Sequence, residues 1–96
     1  MFTHIVFFKL THAVEENAEK VKNILLSMEG QIPELKYIEV GVDVLHSRRS
    51  FDIALTTKFD SRDHMEVYQV HPFHVEQVVA NLKPFLKESA VVDYEA

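Results

Sequence analysis

The sequence is short of the residues on which several kinds of functional site depend. Its 96 residues include no cysteine, no tryptophan, two glycines and three prolines. Without cysteine there is no disulfide, no Cys-ligated zinc or iron–sulfur centre and no thiol nucleophile, and the cytoplasm is the expected location. Gly30 and Gly41 alone cannot form a phosphate-binding loop or a dinucleotide fingerprint. No Gly-x-Ser-x-Gly elbow of a serine hydrolase is present either.

Positive charge and long hydrophobic runs are also scarce. Ten Lys and Arg residues face fifteen Asp and Glu residues, so the formal net charge is −5. An acidic chain is poorly suited to nucleic acid, because that binding depends on clustered basic residues. The apolar stretch 2–10 is too short for a signal sequence and lacks a basic start, and no segment reaches the ~18 apolar residues of a membrane span. We therefore expect neither a nucleic-acid nor a membrane partner.

The residues that are present are 47% hydrophobic and follow regular patterns. We expect one domain over residues 1–96, because no linker composition divides the chain. Alternating apolar residues predict strands at 2–10, 35–45, 51–59 and 90–94. Helical spacing predicts a helix within 11–30 and a second helical region from 60 to 84, broken at His71-Pro72. The order β, α, β, β, α, β is typical of an α+β ferredoxin-like domain, with an antiparallel four-stranded sheet and helices on one face.

The first strand indicates how the other face of the sheet is covered. Phe2, Val6 and Phe8 lie on one side of this strand, and Ile5 and Phe7 lie on the other. A strand that is apolar on both sides is buried on both sides, whereas a chain of this size has helices enough for one face only. We therefore expect a homodimer in which two sheets pack face to face as a dimeric α/β barrel.

Histidine is the main candidate for chemistry, because the chain has six of them. Three of these, His12, His46 and His64, fall at helix starts or in a turn and are interpreted as surface residues. The other candidates, His4 and His74, fall among apolar residues, where each imidazole needs a hydrogen-bond partner.

Asp93 also lies in an apolar segment, and a carboxylate there usually pairs with an imidazole. We predict a hydrogen bond from His74 to Asp93, with Tyr68 and His4 in the same region. A satisfied core histidine would show the same bond. His71 and His74 could in principle share a metal with His4 or Asp93, but Pro72 makes His71 a boundary residue, and no metal or other cofactor is expected.

Four segments of the sequence resemble the stress-responsive A/B barrel (Dabb) family, and the resemblance covers essentially the whole chain. The most specific element is His-Pro-x-x-His with a tyrosine three residues upstream. The resemblance implies a ferredoxin-like homodimer. Most members have no established reaction, whereas one plant member, olivetolic acid cyclase, performs a cofactor-independent intramolecular aldol cyclisation of a linear polyketide. The segments are His4 to Leu10, Glu39 to Asp43, Tyr68 to Val75 and Val91 to Glu95.

The resemblance to the cyclase-like members also implies residue roles. His74 would be the general base, Asp93 would orient its ring, and His4 and Tyr68 would hold and polarise carbonyl oxygens. Asp52 would stand where the cyclase has another pocket histidine.

Asp52 and His71 would then contact the ligand. The HPxxH element has a folding use as well, since it ends one helix and begins the next.

Three functions agree with these observations. They are a cofactor-independent cyclase, lyase or isomerase, a small-molecule-binding dimer without turnover, and a stress-associated structural dimer. A cofactor-free monooxygenase fits less well, because the chain has no tryptophan. A cavity of about 300 Å³ or more around His74 would favour a ligand, and a filled interior would favour the structural function.

Overall fold

The computed structural model describes residues 1–12 and 14–96. Its sheet has the order β2-β3-β1-β4, and every neighbouring pair is antiparallel. The predicted ferredoxin-like α+β fold is confirmed. The strands are β1 (Phe2–Leu10), β2 (Tyr37–Val42), β3 (Ile53–Phe59) and β4 (Leu86–Glu95). Within the described residues, no helix is both long enough and apolar enough to span a membrane.

The helical layer packs on one face of this sheet. It consists of α1 (Val14–Leu26), α2 (Arg62–Val70), a π-helix (Phe73–Val79), the short α3 (Ala80–Leu82) and a 3₁₀ turn (Lys83–Phe85). Alternate residues of β1 and β3 point toward these helices and are buried, as the alternating pattern requires. The core between the two layers includes Val21, Leu25, Leu55, Phe59 and Val78.

Several element boundaries differ from the predicted ones. β2 is shorter, at Tyr37–Val42 instead of 35–45, and β3 begins at Ile53 instead of 51. α1 ends at Leu26 instead of continuing to Gly30, because the following amides of Met28 and Glu29 bond to carbonyls three residues back. Gly30 lies beyond these turns at φ 79°, a left-handed conformation that glycine adopts without steric cost. β4 begins at Leu86 rather than Ala90, because its pairing with β1 continues to the end of that strand.

The second helical region is broken where the sequence predicted. Ser61 caps α2 by accepting a hydrogen bond from the His64 amide, and His71 ends the helix with an extended ψ of 135°. This conformation is the one expected before a proline. The helix that follows is a π-helix, in which the Ala80 amide donates to the Val75 carbonyl, whereas an ordinary helix was expected. π-Helical turns are rare and occur often at functional sites.

The other face of the sheet is open. Ile5 and Phe7 are only half-buried there, and Val92 and Tyr94 of the edge strand β4 are 52% and 44% exposed. The described helices pack on the opposite side, so this face keeps its apolar side chains in contact with solvent.

Candidate functional site

A cavity of about 210 Å³ lies between the sheet and the helical layer. β1 contributes His4, α2 contributes Tyr68, and the π-helix contributes His74. Most of the remaining wall is apolar, and Lys83 is the only lysine, arginine or acidic residue among the described residues that line it. The wall consists of Val6, Phe8, Leu25, Leu55, Val78, Val79, Leu82, Lys83 and Leu86.

His4 forms a pair with Asp93. The antiparallel register places the two residues directly opposite each other on β1 and β4, and the distance from His4 Nδ1 to Asp93 Oδ1 is 2.5 Å. The His4 side chain is 7% exposed and that of Asp93 is 39% exposed. An ionised carboxylate only accepts hydrogen bonds, so Nδ1 of His4 carries the proton. Its Nε2 is then the ring nitrogen left for the cavity.

The predicted hydrogen bond between His74 and Asp93 is therefore wrong. Cross-strand neighbours on one face have Cβ atoms roughly 5 Å apart, which gives Asp93 a partner within its own sheet. His74 lies in the helical layer and its Nδ1 is 3.0 Å from the Gln69 carbonyl oxygen. A carbonyl only accepts, so the Nδ1 of His74 also carries its proton, and its Nε2 is free to accept.

The helix break explains why the Gln69 carbonyl meets an imidazole. In a continuous α-helix this carbonyl would accept from the amide of Phe73. That amide instead donates to Nδ1 of His71, at 3.1 Å. His74 then supplies the donor that the Gln69 carbonyl lost. Both histidines of the HPxxH element thus bond to the interrupted backbone, and the folding use of the element is what orients the ring of His74.

His71 and Asp52 do not line this cavity. Nδ1 of His71 is engaged with the Phe73 amide, so the predicted ligand contact would have to come from elsewhere on the ring. Asp52 accepts from the Leu10 amide at 2.8 Å and donates its own amide to the Phe8 carbonyl, which fastens the start of β3 to β1. It lies in a more open depression of about 530 Å³ beside Phe51. The structure thus separates Asp52 from the other candidates.

Tyr68 lies between the two cavity histidines. Its ring centroid is 4.5 Å from that of His74 and 6.3 Å from that of His4, and the residue is 1% exposed. Burial raises the pKa of the Tyr68 hydroxyl well above its ordinary value, so this group stays protonated and can donate a hydrogen bond. Among the described residues, its hydroxyl has no hydrogen-bond partner.

The electrostatics of the cavity favour a neutral His74. Burial lowers its pKa, the hydrogen bond to the Gln69 carbonyl acts in the opposite direction, and the nearby His4 and His71 lower it further. A neutral imidazole with its proton on Nδ1 is a base at Nε2. Across the described residues, no three His, Asp or Glu side chains converge as metal ligands would.

Sequence reasoning missed two contributors to this site, the Gln69 carbonyl and Lys83. Pro72 was the available signal for the first, because the extended backbone before a proline ends the helix and separates carbonyls of the preceding turn from their usual amide donors. Lys83 follows Val79 by one helical turn and belongs to the same wall of the cavity.

The fold and the cavity together define a ferredoxin-like α+β domain with a histidine-lined pocket. The model of the stress responsive A/B barrel domain matches residues 2–96, so the chain belongs to that family. No curated protein matches the chain.

Solved structures show the same fold. A dimeric protein of ferredoxin-like fold from Bacteroides fragilis is 32% identical, with a TM-score of 0.84 over 99% of this chain and 95% of that one. A dimeric ferredoxin-like protein from Thermobifida fusca is 28% identical, with a TM-score of 0.84 over 99% and 90%. Hydroxynitrile lyase from Passiflora edulis is 19% identical, with a TM-score of 0.80 over 97% and 90%, and shares the fold.

Proposed function

We propose that the chain is a cofactor-independent acid–base enzyme that moves a proton beside the carbonyl group of a small organic molecule. The observation that carries this proposal is the state of the two imidazoles. Nδ1 of His4 is held by Asp93 and Nδ1 of His74 by the Gln69 carbonyl, which leaves both Nε2 atoms for one cavity. Tyr68 lies between them.

In the proposed reaction His74 is the base. Its Nε2 takes a proton from the carbon next to the carbonyl, and the electron pair of that C–H bond forms the carbon–carbon double bond of an enolate. The negative charge moves to the carbonyl oxygen. Tyr68 donates a hydrogen bond to this oxygen. His4 donates a second one, or the proton itself, in the form of its ring that carries a proton on Nε2 as well as on Nδ1.

The fate of the enolate decides among the reaction types. In a substrate with a double bond or hydroxyl next to the enolate, return of the proton at another carbon is an isomerisation. Attack on a second carbonyl is an aldol cyclisation, and loss of a group from the neighbouring carbon is a lyase reaction. The fold accommodates lyase activity, since a hydroxynitrile lyase shares it.

The size of the cavity limits the substrate. Its volume of about 210 Å³ is below the roughly 300 Å³ expected of a ligand pocket, but the interior around His74 is not filled, so the volume by itself favours neither a ligand nor the structural function. A water molecule occupies about 30 Å³ in the liquid, so the space suits a molecule of on the order of ten non-hydrogen atoms. A small ketone or aldehyde meets this limit, and a long polyketide chain would require the cavity to open.

We also propose that the chain works as a homodimer through its open sheet face. Ile5, Phe7, Val92 and Tyr94 leave this face apolar and partly exposed. The related proteins from Bacteroides fragilis and Thermobifida fusca are described as dimeric. A second copy on this face would form the two-sheet barrel after which the family is named, and about 2,000 Å² or more of total surface would be buried.

Deuterium exchange tests the catalytic proposal without knowledge of the natural substrate. Hexan-2-one in D₂O is followed by proton NMR, and the wild-type protein should speed the loss of signal from the protons beside the carbonyl. His74→Ala should slow the protein-dependent exchange by about a hundredfold, because it removes the base. His12→Ala, at an exposed position, is the matched control and should exchange like the wild type.

Two results would contradict the proposal. One is exchange in the His74→Ala variant at the wild-type rate. The other is exchange with wild-type protein no faster than in buffer although the ketone binds, and this result favours the binding function without turnover.

A further inference from the structure

The mouth of the cavity has a charge that the proton-transfer chemistry does not use. Lys83 lines the cavity and is exposed, whereas His4 and Tyr68, which also line it, are 6% and 1% exposed. Val79, also part of the wall, is 36% exposed and lies near the opening. The cavity therefore has a direction, from a polar floor at His4 and Tyr68 to a cationic mouth at Lys83.

Lys83 is free to meet a ligand. The ion pairs of the described residues join His4 to Asp93, Lys9 to Glu88, His46 to Asp43 and Arg62 to Glu66. No described acidic side chain pairs with Lys83, although the chain carries five more acidic than basic residues by formal charge. A lysine can lay its aliphatic stem along an apolar wall while its ammonium group stays in water.

The wall between floor and mouth is apolar. Phe8, Leu25 and Leu82 are among the side chains that line it, and each is buried. A ligand that fills the cavity therefore meets hydrogen-bonding groups at one end, hydrocarbon along its length and a positive charge at the other end.

We propose that the substrate is a small oxo acid, which places its ketone or aldehyde at the cavity floor and its carboxylate at Lys83. The identity of the reacting group rests on the proposed function, whereas the recognition of an anion rests on Lys83 alone. An anion at the mouth also fixes which end of the molecule enters, so the carbon beside the carbonyl is delivered to His74.

A matched pair of probes tests the anion preference. 5-Oxohexanoate and 5-oxohexanamide have nearly the same shape and the same ketone, and differ in the charge of the end group. Dissociation constants are measured by NMR titration of the labelled wild-type protein. The acid should bind about fivefold more tightly than the amide, since an ion pair at an exposed site contributes up to about 1 kcal/mol. High salt should reduce the ratio, because the pair is open to screening.

Three variants assign the preference to one side chain. Lys83→Met keeps the apolar stem and should bring the ratio of the two dissociation constants to about one. Lys83→Arg keeps the charge and should retain most of the preference. Lys87→Met removes a lysine of β4 that does not line the cavity, and its ratio should equal that of the wild type.

Equal binding of acid and amide by the wild type, binding of neither, or a preference that survives in Lys83→Met would each overturn the inference. Its failure is distinct from failure of the proposed function. If the protein exchanges hexan-2-one protons but shows no preference for the acid, the proposed proton transfer is supported and the proposal of an oxo acid substrate is rejected. If the protein shows a Lys83-dependent preference for the acid but no exchange, the anion-binding cavity is supported and the proposed catalysis is rejected.

Discussion

Removal of the Asp93 carboxylate should destabilise the protein, and it should also allow the neutral His4 ring to adopt either tautomer. Asp93→Ala leaves Nδ1 of His4, now 2.5 Å from Oδ1, without its acceptor, and the His4 residue is 6% exposed. A buried donor that loses its partner costs about 1–3 kcal/mol. The Asp93 side chain is 39% exposed, so water can reach the vacated place, and the lower end of this range, about 1 kcal/mol, is expected. For a domain of this length that corresponds to a fall in Tm of about 4–8 °C.

The matched control is Glu88→Ala. Glu88 belongs to the same strand, and its carboxylate is 3.9 Å from the ammonium group of Lys9 with 56% of the side chain exposed. Such a pair contributes at most about 1 kcal/mol and often nothing measurable. Both variants place alanine on the same strand, and aspartate is the poorer strand former of the two residues replaced, so a larger fall in Tm for Asp93→Ala reports the loss of the His4–Asp93 bond.

Nitrogen NMR of the imidazole provides the second measurement. In the wild type the proton of His4 should lie on Nδ1, because Asp93 accepts there. In Asp93→Ala the neutral ring should populate both tautomers. If Asp93→Ala melts at the temperature of Glu88→Ala and the His4 tautomer is unchanged, then Asp93 does not hold this ring and the proposed role of His4 falls with it.

Two further predictions concern pH and assembly. The pKa of folded His74 is lowered by burial, so the unfolded chain binds this proton at a higher pH than the folded chain does. Urea unfolding at pH 7 and pH 5 should therefore show a loss of stability on acidification that is smaller in His74→Gln. An equal loss in the wild type and in His74→Gln would contradict this prediction. Val92→Glu puts a charge on the open sheet face and should give a monomer in sedimentation equilibrium. Val67→Glu, on the exposed side of α2, is the control and should stay dimeric. Dimeric Val92→Glu protein would place the interface elsewhere.

The fold could be predicted from the sequence because its signals are local. Alternation in β1 and β3 and the helical stripe of α1 depend on residues that are close in the chain, and the HPxxH break depends on the geometry of one peptide unit. The π-helix was not predictable in this way, because π-helical turns occur mostly as short insertions in a helix and are too short to set a hydrophobic period of their own.

The sequence predicted which residues lie near one another in the candidate site but not which of them form hydrogen bonds. His4, Tyr68 and His74 line one cavity and Asp93 adjoins it through His4, but Asp93 was assigned to the wrong histidine. Asp52 was assigned to the pocket from a family correspondence, whereas its carboxylate bonds to the Leu10 amide. The wrong partner for Asp93 arose because a pattern along the chain identifies polar residues in apolar company but does not state their distances. For Asp52, a correspondence with relatives does not state which groups a different side chain will bond to.

The sequence by itself determined the order of the elements and the presence of a first strand that is apolar on both faces. It also showed that histidines are the main candidates for chemistry. Each of these features follows from residue type and spacing. Only the tertiary structure decided which groups meet. The β1–β4 register sets His4 against Asp93, and the interrupted helix turns His74 to the Gln69 carbonyl. Such pairings depend on strand register and on backbone groups left unpaired at a break, and both are settled when distant segments pack together.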